Sequence, residues 1–138
     1  MYVVCIYGTD VVTIEEVCDT LTKMGFSEPH LYSTKNEEGY IHVDKVKFQE
    51  LIDKDILLFW WEKDGHLYGQ RKPIGERLVV YRLRDTNELK IARNIYDKQV
   101  YGVYVGEGDA SLYDVKFEGG INYTLIVADI LKNRNRYR

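Results

Sequence analysis

The chain has 138 residues and a mass of 16.2 kDa, enough for one hydrophobic core and too short for two ordinary domains. With 45% hydrophobic and 30% charged residues it has the composition of a soluble globular protein, which excludes a disordered or fibrous chain. The net charge of −3 conceals an asymmetry: Lys132, Arg134, Arg136 and Arg138 end the chain, and without them 15 cations against 22 acids leave a body of −7, which excludes a general affinity for nucleic acid phosphate.

In chain order, YVVCIY at residues 2–7 is a continuous apolar, β-branched and aromatic run that stops at Gly8, as a buried strand does. Thr13, with Glu16 three residues on, forms a capping box, and Ile14, Val17, Cys18 and Leu21 then recur at helical spacing as far as Gly25. Cys5 thus lies in a strand and Cys18 on a helical stripe, so both read as reduced core thiols and neither a zinc site nor a disulfide framework is expected. Residues 31–34 form a second expected strand, followed by the polar turn KNEEG and another extended piece at 40–43. Asp44 caps a short helix in which Phe48, Leu51 and Ile52 share a face. The run ILLFWW is strand material, joined through Lys63, Asp64 and Gly65 to a partner strand HLYG, because Asp-Gly is a strong hairpin signal.

Beyond Gly75 the segment LVVYRLR alternates, with Val79, Tyr81 and Leu83 on one side and Val80, Arg82 and Arg84 on the other, so one face is wet or meets an anion. Asp85 or Thr86 caps a helix carrying Leu89, Ala92 and Tyr96, and VYGVYV at 100–105 reads as a buried strand. Residues 113–117 give the last strand. Asn122 opens a final helix, YTLIVADILKN, whose apolar residues occupy more than one face, so it is deeply buried or offers a self-association surface around Ile126, Ile130 and Leu131. The tail KNRNRYR reads as the end of that helix, with cations at the negative pole of its dipole. No apolar stretch approaches the ~20 residues that cross a bilayer, and MYVVCIYGTD lacks the basic segment and cleavage site of a signal peptide, so a cytoplasmic protein is expected. Alternating strands and helices imply one α/β domain over 1–138, with a mostly parallel core sheet (1–30 and 71–138) and an antiparallel insertion at 31–70.

That insertion carries a resemblance. At 40–69 the reading YIHVDKVKFQELIDKDILLFWWEKDGHLYG has a Tyr opening an extended piece, an acid-capped helix with a Phe eight residues after the Tyr, the strand LLFWWEK, and a closing hairpin Gly65, His66, Leu67, Tyr68, Gly69. In this register, without gaps, it resembles the monophosphate-binding insertion of guanylate kinases, members of the P-loop nucleoside monophosphate kinases. The rest fits more loosely: Gly8 lies where that family has its phosphate loop, Ser33, Thr34 and Lys35 where it has TTR, and Tyr113 to Val115 with the last helix where it closes. The resemblance implies a guanylate-kinase-like layered α/β fold. It also implies that Tyr40 and Tyr68 are the two tyrosines that hold the phosphate of a monophosphate, with Lys35 and Arg71 as neighbouring cations.

The departures from the family bear on activity. A loop GxxxxGK[ST] works because converging backbone N–H groups, a Lys and a magnesium-binding hydroxyl all meet the phosphates. Here the segment is Gly8, Thr9, Asp10, Val11, Val12, Thr13, Ile14, Glu15, with Ile14 at the Lys position and Glu15 at the hydroxyl position. Only Gly106 to Leu112 separate the last two strands, which leaves no room for the arginine-rich lid, and the TTRxPR segment is cut to a single cation, Lys35. The family's guanine-reading Glu falls on Phe59, so guanine specificity is not expected. Arg82 and Arg84 stand where the family is acidic.

Phe59, Trp60 and Trp61 form an aromatic run in one strand, so at least one ring faces away from the others, and large aromatics are favoured anchors of protein interfaces. His30, His42 and His66 are scattered without ligand spacing, and no nucleophile motif such as GxSxG is present, so neither a metal nor nucleophilic catalysis is expected. The sequence thus points to a degenerate, shortened guanylate-kinase-like pseudoenzyme without a cofactor. Its expected role is to bind a protein partner, a phosphorylated or acidic segment, through the former substrate site. A mononucleotide-binding regulator is the second reading, and an active nucleoside monophosphate kinase comes last. A stripped copy of a metabolic enzyme also suits a viral or mobile-element gene.

Overall fold

A computed structural model describes residues 1–137, with side chains as far as 135, and the chain falls into two compact units, 1–28 with 75–138, and 29–74. The first unit is built on a fully parallel four-stranded sheet. Its strands are β1 (Tyr2–Gly8), β6 (Leu78–Arg82), β7 (Val100–Val105) and β8 (Val115–Phe117), in the order β6-β1-β7-β8. Three helices pack on it, α1 (Val11–Lys23), α3 (Thr86–Tyr96) and α4 (Tyr123–Asn133).

Both faces of this sheet are covered, which is why its strands read as unbroken apolar runs. Tyr2, Val4 and Ile6 of β1 meet Ile14, Val17 and Leu21 of α1 and Ile126, Val127 and Ile130 of α4. On the other face Gly102 lets α3 approach: a Cβ there would lie 3.1 Å from the Arg93 guanidinium and 3.3 Å from Leu89. Each such aliphatic side chain, fully buried, contributes roughly 1.5–3 kcal/mol. Cys5 and Cys18 are free thiols in this interior, and burial pushes both up to about 12. Ile126 and Ile130 are fully buried here, so the final helix does not present them for self-association; its exposed large apolar residue is Leu125.

Local structure departs from the sequence reading at several places. α1 begins three residues early because Asp10, a better cap than Thr13, accepts from the Thr13 N–H at 3.2 Å. The capping box centred on Thr13 is not formed, and Val11 and Val12 stand exposed on the first turn. β6 ends at Arg82, two residues short, and Asp85 alone caps α3. β8 is three residues rather than five, although it runs parallel to β7 after a connection of only residues 106–114, shorter than parallel pairs ordinarily need. Asp114 ties that connection down, its Oδ2 accepting from the Gly102 N–H and from Arg93 Nη2, both at 2.7 Å. After α4 the backbone tightens over Arg134–Tyr137. Of the basic tail, Arg138 and the Arg136 side chain lie outside the described residues.

The second unit has a mixed sheet of β2 (Leu31–Ser33), β3 (Ile41–His42), β4 (Leu57–Lys63) and β5 (His66–Arg71), in the order β3-β2-β5-β4. It is antiparallel except for the β2–β3 pair, which corrects the wholly antiparallel expectation. One face is covered by α2 (Lys45–Asp53), capped by Asp44, whose Phe48 and Leu51 form a small core with Leu57. The close approach needs Gly69, where a Cβ would lie 2.7 Å from Leu57 and 3.2 Å from Phe48. A register shift between Leu57 and Phe59 breaks the strand alternation, so Leu57, Leu58 and Phe59 are all buried in succession. Asp64 and Gly65 both have positive φ, 51° and 78°, as the two-residue hairpin turn requires.

Among the described residues no helix is long and apolar enough to cross a membrane, and no three His, Cys, Asp or Glu side chains are grouped to hold a metal ion.

Candidate functional site

In the first unit the turn after β1 is closed on itself. Gly8 and Gly106 have φ of 151° and 116°, and a Cβ on Gly8 would lie 1.9 Å from the Val105 carbonyl oxygen. The Asp10 N–H donates to that oxygen at 3.2 Å, the Thr9 hydroxyl donates to the Glu107 carbonyl at 3.0 Å, and the Glu107 N–H donates to the Thr9 oxygen at 2.9 Å. At the start of α1, where the helix dipole favours an anion, the chain supplies its own. The Asp10 carboxylate accepts from the Thr13 hydroxyl at 2.7 Å and from the Thr13 N–H. Those two bonds, the hydroxyl first, hold its carboxyl below the ordinary carboxylate range. Ile14 is buried in the core and Glu15 is exposed, facing Arg82 at 4.0 Å. Arg82 also meets Glu28 at 3.7 Å, and Arg84 is held by Glu88 at 3.1 Å, so both strand arginines already face carboxylates.

In the second unit the turn Glu37–Tyr40 closes through the Tyr40 N–H and the Glu37 carbonyl at 3.2 Å, with Gly39 at φ 86° where such a turn demands a left-handed residue. This brings Tyr40 and Glu37 over Tyr68. The Tyr40 and Tyr68 rings meet edge to face with centroids 5.3 Å apart, and Trp61 stacks on Tyr68 at 5.7 Å and 10°. The Tyr68 hydroxyl donates to Glu37 Oε2 at 2.9 Å. Loss of solvent, and then that bond and the Glu37 charge, push the Tyr68 hydroxyl above its ordinary value. Ser33 lies opposite Tyr68 in the sheet, and its Oγ accepts from the Lys35 N–H at 2.9 Å.

The residues singled out in the sequence are therefore only partly brought together. Tyr40, Tyr68 and Trp61 form one cluster, and Lys35 leaves its strand beside it with an exposed side chain. Arg71 alternates with Tyr68 along β5 and falls on the α2 face with Gly69, its Nη1 donating to the Lys72 carbonyl at 2.9 Å. Trp60 pairs with Gly69 and belongs to that same α2 face at the sheet edge, 53% exposed. Phe59 lies in the interior at 4% exposure. The sequence reading takes Asp10 as repelling a triphosphate but not as the helix cap, although Asp is among the preferred caps; Glu37 escapes it, because it gives no local signal and its partner is 31 residues away.

No protein-family model matches this sequence, and no curated protein is similar to it. Solved structures are similar: the guanylate kinase from Anaplasma phagocytophilum superposes with a TM-score of 0.68 over 97% of this chain and 86% of its own, at 11% identity. The fold is guanylate-kinase-like.

Proposed function

We propose that the chain is a non-catalytic guanylate-kinase-like module that binds a protein partner through its second unit. The observation that supports this reading best is Asp10. Phosphoryl transfer depends on positioning and charge neutralisation, with backbone donors, a Lys and magnesium converging on the phosphates. At the matching turn this chain places a carboxylate on the first donors of the helix, a buried Ile14 at the Lys position and an acid, Glu15, at the hydroxyl position. Each substitution removes attraction for a triphosphate, and two of them add repulsion. The short connection at 106–114 has no length for a lid.

The partner face is the one that carries Trp61 with Tyr40 and Tyr68, since Phe59 is interior and Trp60 belongs to the opposite face. Incubating the whole chain with magnesium, ATP and GMP or dGMP should give no diphosphate; turnover of ~1–100 per second would overturn the proposal. Partner capture should be lost in Trp61→Ala and kept in Trp60→Ala. The reverse pattern would move the interface to the α2 side.

A further inference from the structure

We infer that the aromatic face of the second unit takes the side chain of an arginine in a partner segment, with Glu37 as its counter-ion, and turns phosphate away. This rests on the reading of that face as the partner surface and fixes the chemistry of the partner. It reverses the acidic or phosphorylated segment that the sequence alone suggested.

Three observations lead there. First, the hydroxyl that would meet a phosphate is already donating, Tyr68 to Glu37 Oε2 at 2.9 Å, so an incoming anion finds a carboxylate at its donor. Second, among the described residues Glu37 has no cationic partner, and its side-chain hydrogen bond is the one from that hydroxyl. A carboxylate offers about four acceptor positions, so most of its capacity is left, and a planar guanidinium can engage both of its oxygens at once. Third, the carboxylate stands beside π faces. Tyr68 packs between Trp61, stacked at 10°, and Tyr40, edge-on at 74°, and Trp61 and Tyr40 are each half-buried residues. A guanidinium stacks on such faces while its edge reaches a carboxylate, whereas a phosphate gains nothing from an aromatic face and is repelled by Glu37. A ring cluster with an ionically unpaired acid at its rim therefore selects cations.

The test is an NMR titration of the whole chain, following the indole N–H signal of Trp61, which Trp60→Phe distinguishes from that of Trp60. The probes are an acetylated glycine–arginine repeat peptide, its glycine–glutamate counterpart, and inorganic phosphate. The arginine peptide should move the Trp61 signal saturably, while the glutamate peptide and phosphate leave it in place. Glu37→Gln should weaken the arginine peptide roughly tenfold, the scale of a hydrogen bond to a charged group, with an unchanged thermal melt. Glu38→Gln, which alters the same net charge one residue away, should leave the affinity as it was. Phosphate or the acidic peptide acting as strongly as the arginine peptide would overturn the inference, as would full affinity in Glu37→Gln, equal losses in the two variants, or silence with every probe. None of these results restores catalysis, so the non-catalytic reading stands or falls separately on GMP turnover.

Discussion

The first unit buries its sheet on both faces, whereas the second covers one face with α2 and finishes the other with rings and a carboxylate. In the first, the strands that matter are interior, and the functional question concentrates at one turn, Gly8 to Thr13. In the second, Phe48, Leu51 and Leu57 form a small core under α2, while Tyr40 and Trp61 are only half-buried. Both units nevertheless do the same thing where the resemblance places a phosphate. Each sets one of the chain's own carboxylates there, Asp10 on the start of α1 and Glu37 on the Tyr68 hydroxyl. At both places polar groups have internal partners, as buried or half-buried donors must.

On the α2 face of the second unit the contrast between core and sheet edge is sharpest at Phe48 and Trp60. Phe48→Ala should cost about 3–5 kcal/mol, because it empties the middle of the apolar cluster between α2 and the second sheet. Trp60→Ala, at a ring 53% exposed, should stay within about 0.5 kcal/mol. Chemical denaturation followed by fluorescence compares them, and similar costs would mean that Trp60 is a core residue of that unit after all.

At the turn of the first unit, Gly8→Ala should cost about 3 kcal/mol, since its Cβ would sit 1.9 Å from backbone that cannot yield cheaply. Gly25→Ala is the comparison: it too has positive φ, 101°, but nothing lies within 4 Å of the added carbon, so only the backbone term of about 1–2 kcal/mol applies. Equal melting temperatures for the two variants would show that the Gly8 to Val105 contact is not closed in solution.

Asp10→Ala should cost about 1 kcal/mol at neutral pH, the value of a helix cap. Its pH dependence carries a definite sign. The Asp10 carboxyl is held below its ordinary 3.8 by the Thr13 hydroxyl and then the Thr13 N–H. A lowered folded-state value adds stability above the unfolded one and loses it as pH falls through the folded one. The gap between wild type and Asp10→Ala should thus be whole at pH 7 and close as pH drops below 3.8. A gap that survives in strong acid would mean that the cap works without its charge.

The parallel sheet was legible in the sequence because strands buried on both faces leave continuous apolar runs such as YVVCIY and VYGVYV. The hairpin at Asp64 and Gly65 and the caps at Asp44 and Asn122 were legible for a similar reason, each being a local chemical requirement. What stayed hidden was set by tertiary geometry. That Trp60 and Trp61 part to opposite faces follows from strand alternation and was legible, but the register shift at Leu58, after which Phe59 is buried like Leu57 and Leu58, is announced by nothing in the run. The length of β8 is limited by Asp114, which turns back to Gly102. Tyr40 and Tyr68 were found from a spacing over thirty residues, yet the spacing was silent about Glu37, whose position follows from how the turn at Gly39 folds. The two tyrosines do meet as the spacing implied, and the carboxylate beside them is the ground for the inferred preference for a cation.

The central claim is that the chain's own carboxylates have replaced the nucleotide's phosphates. A calorimetric titration of the whole chain with GMP, and separately with magnesium ATP, tests it most directly. Neither should give saturable heat at ~1 mM, the weak end of measurable affinity. Saturable binding of GMP at micromolar concentration, with preference over AMP, would contradict the account.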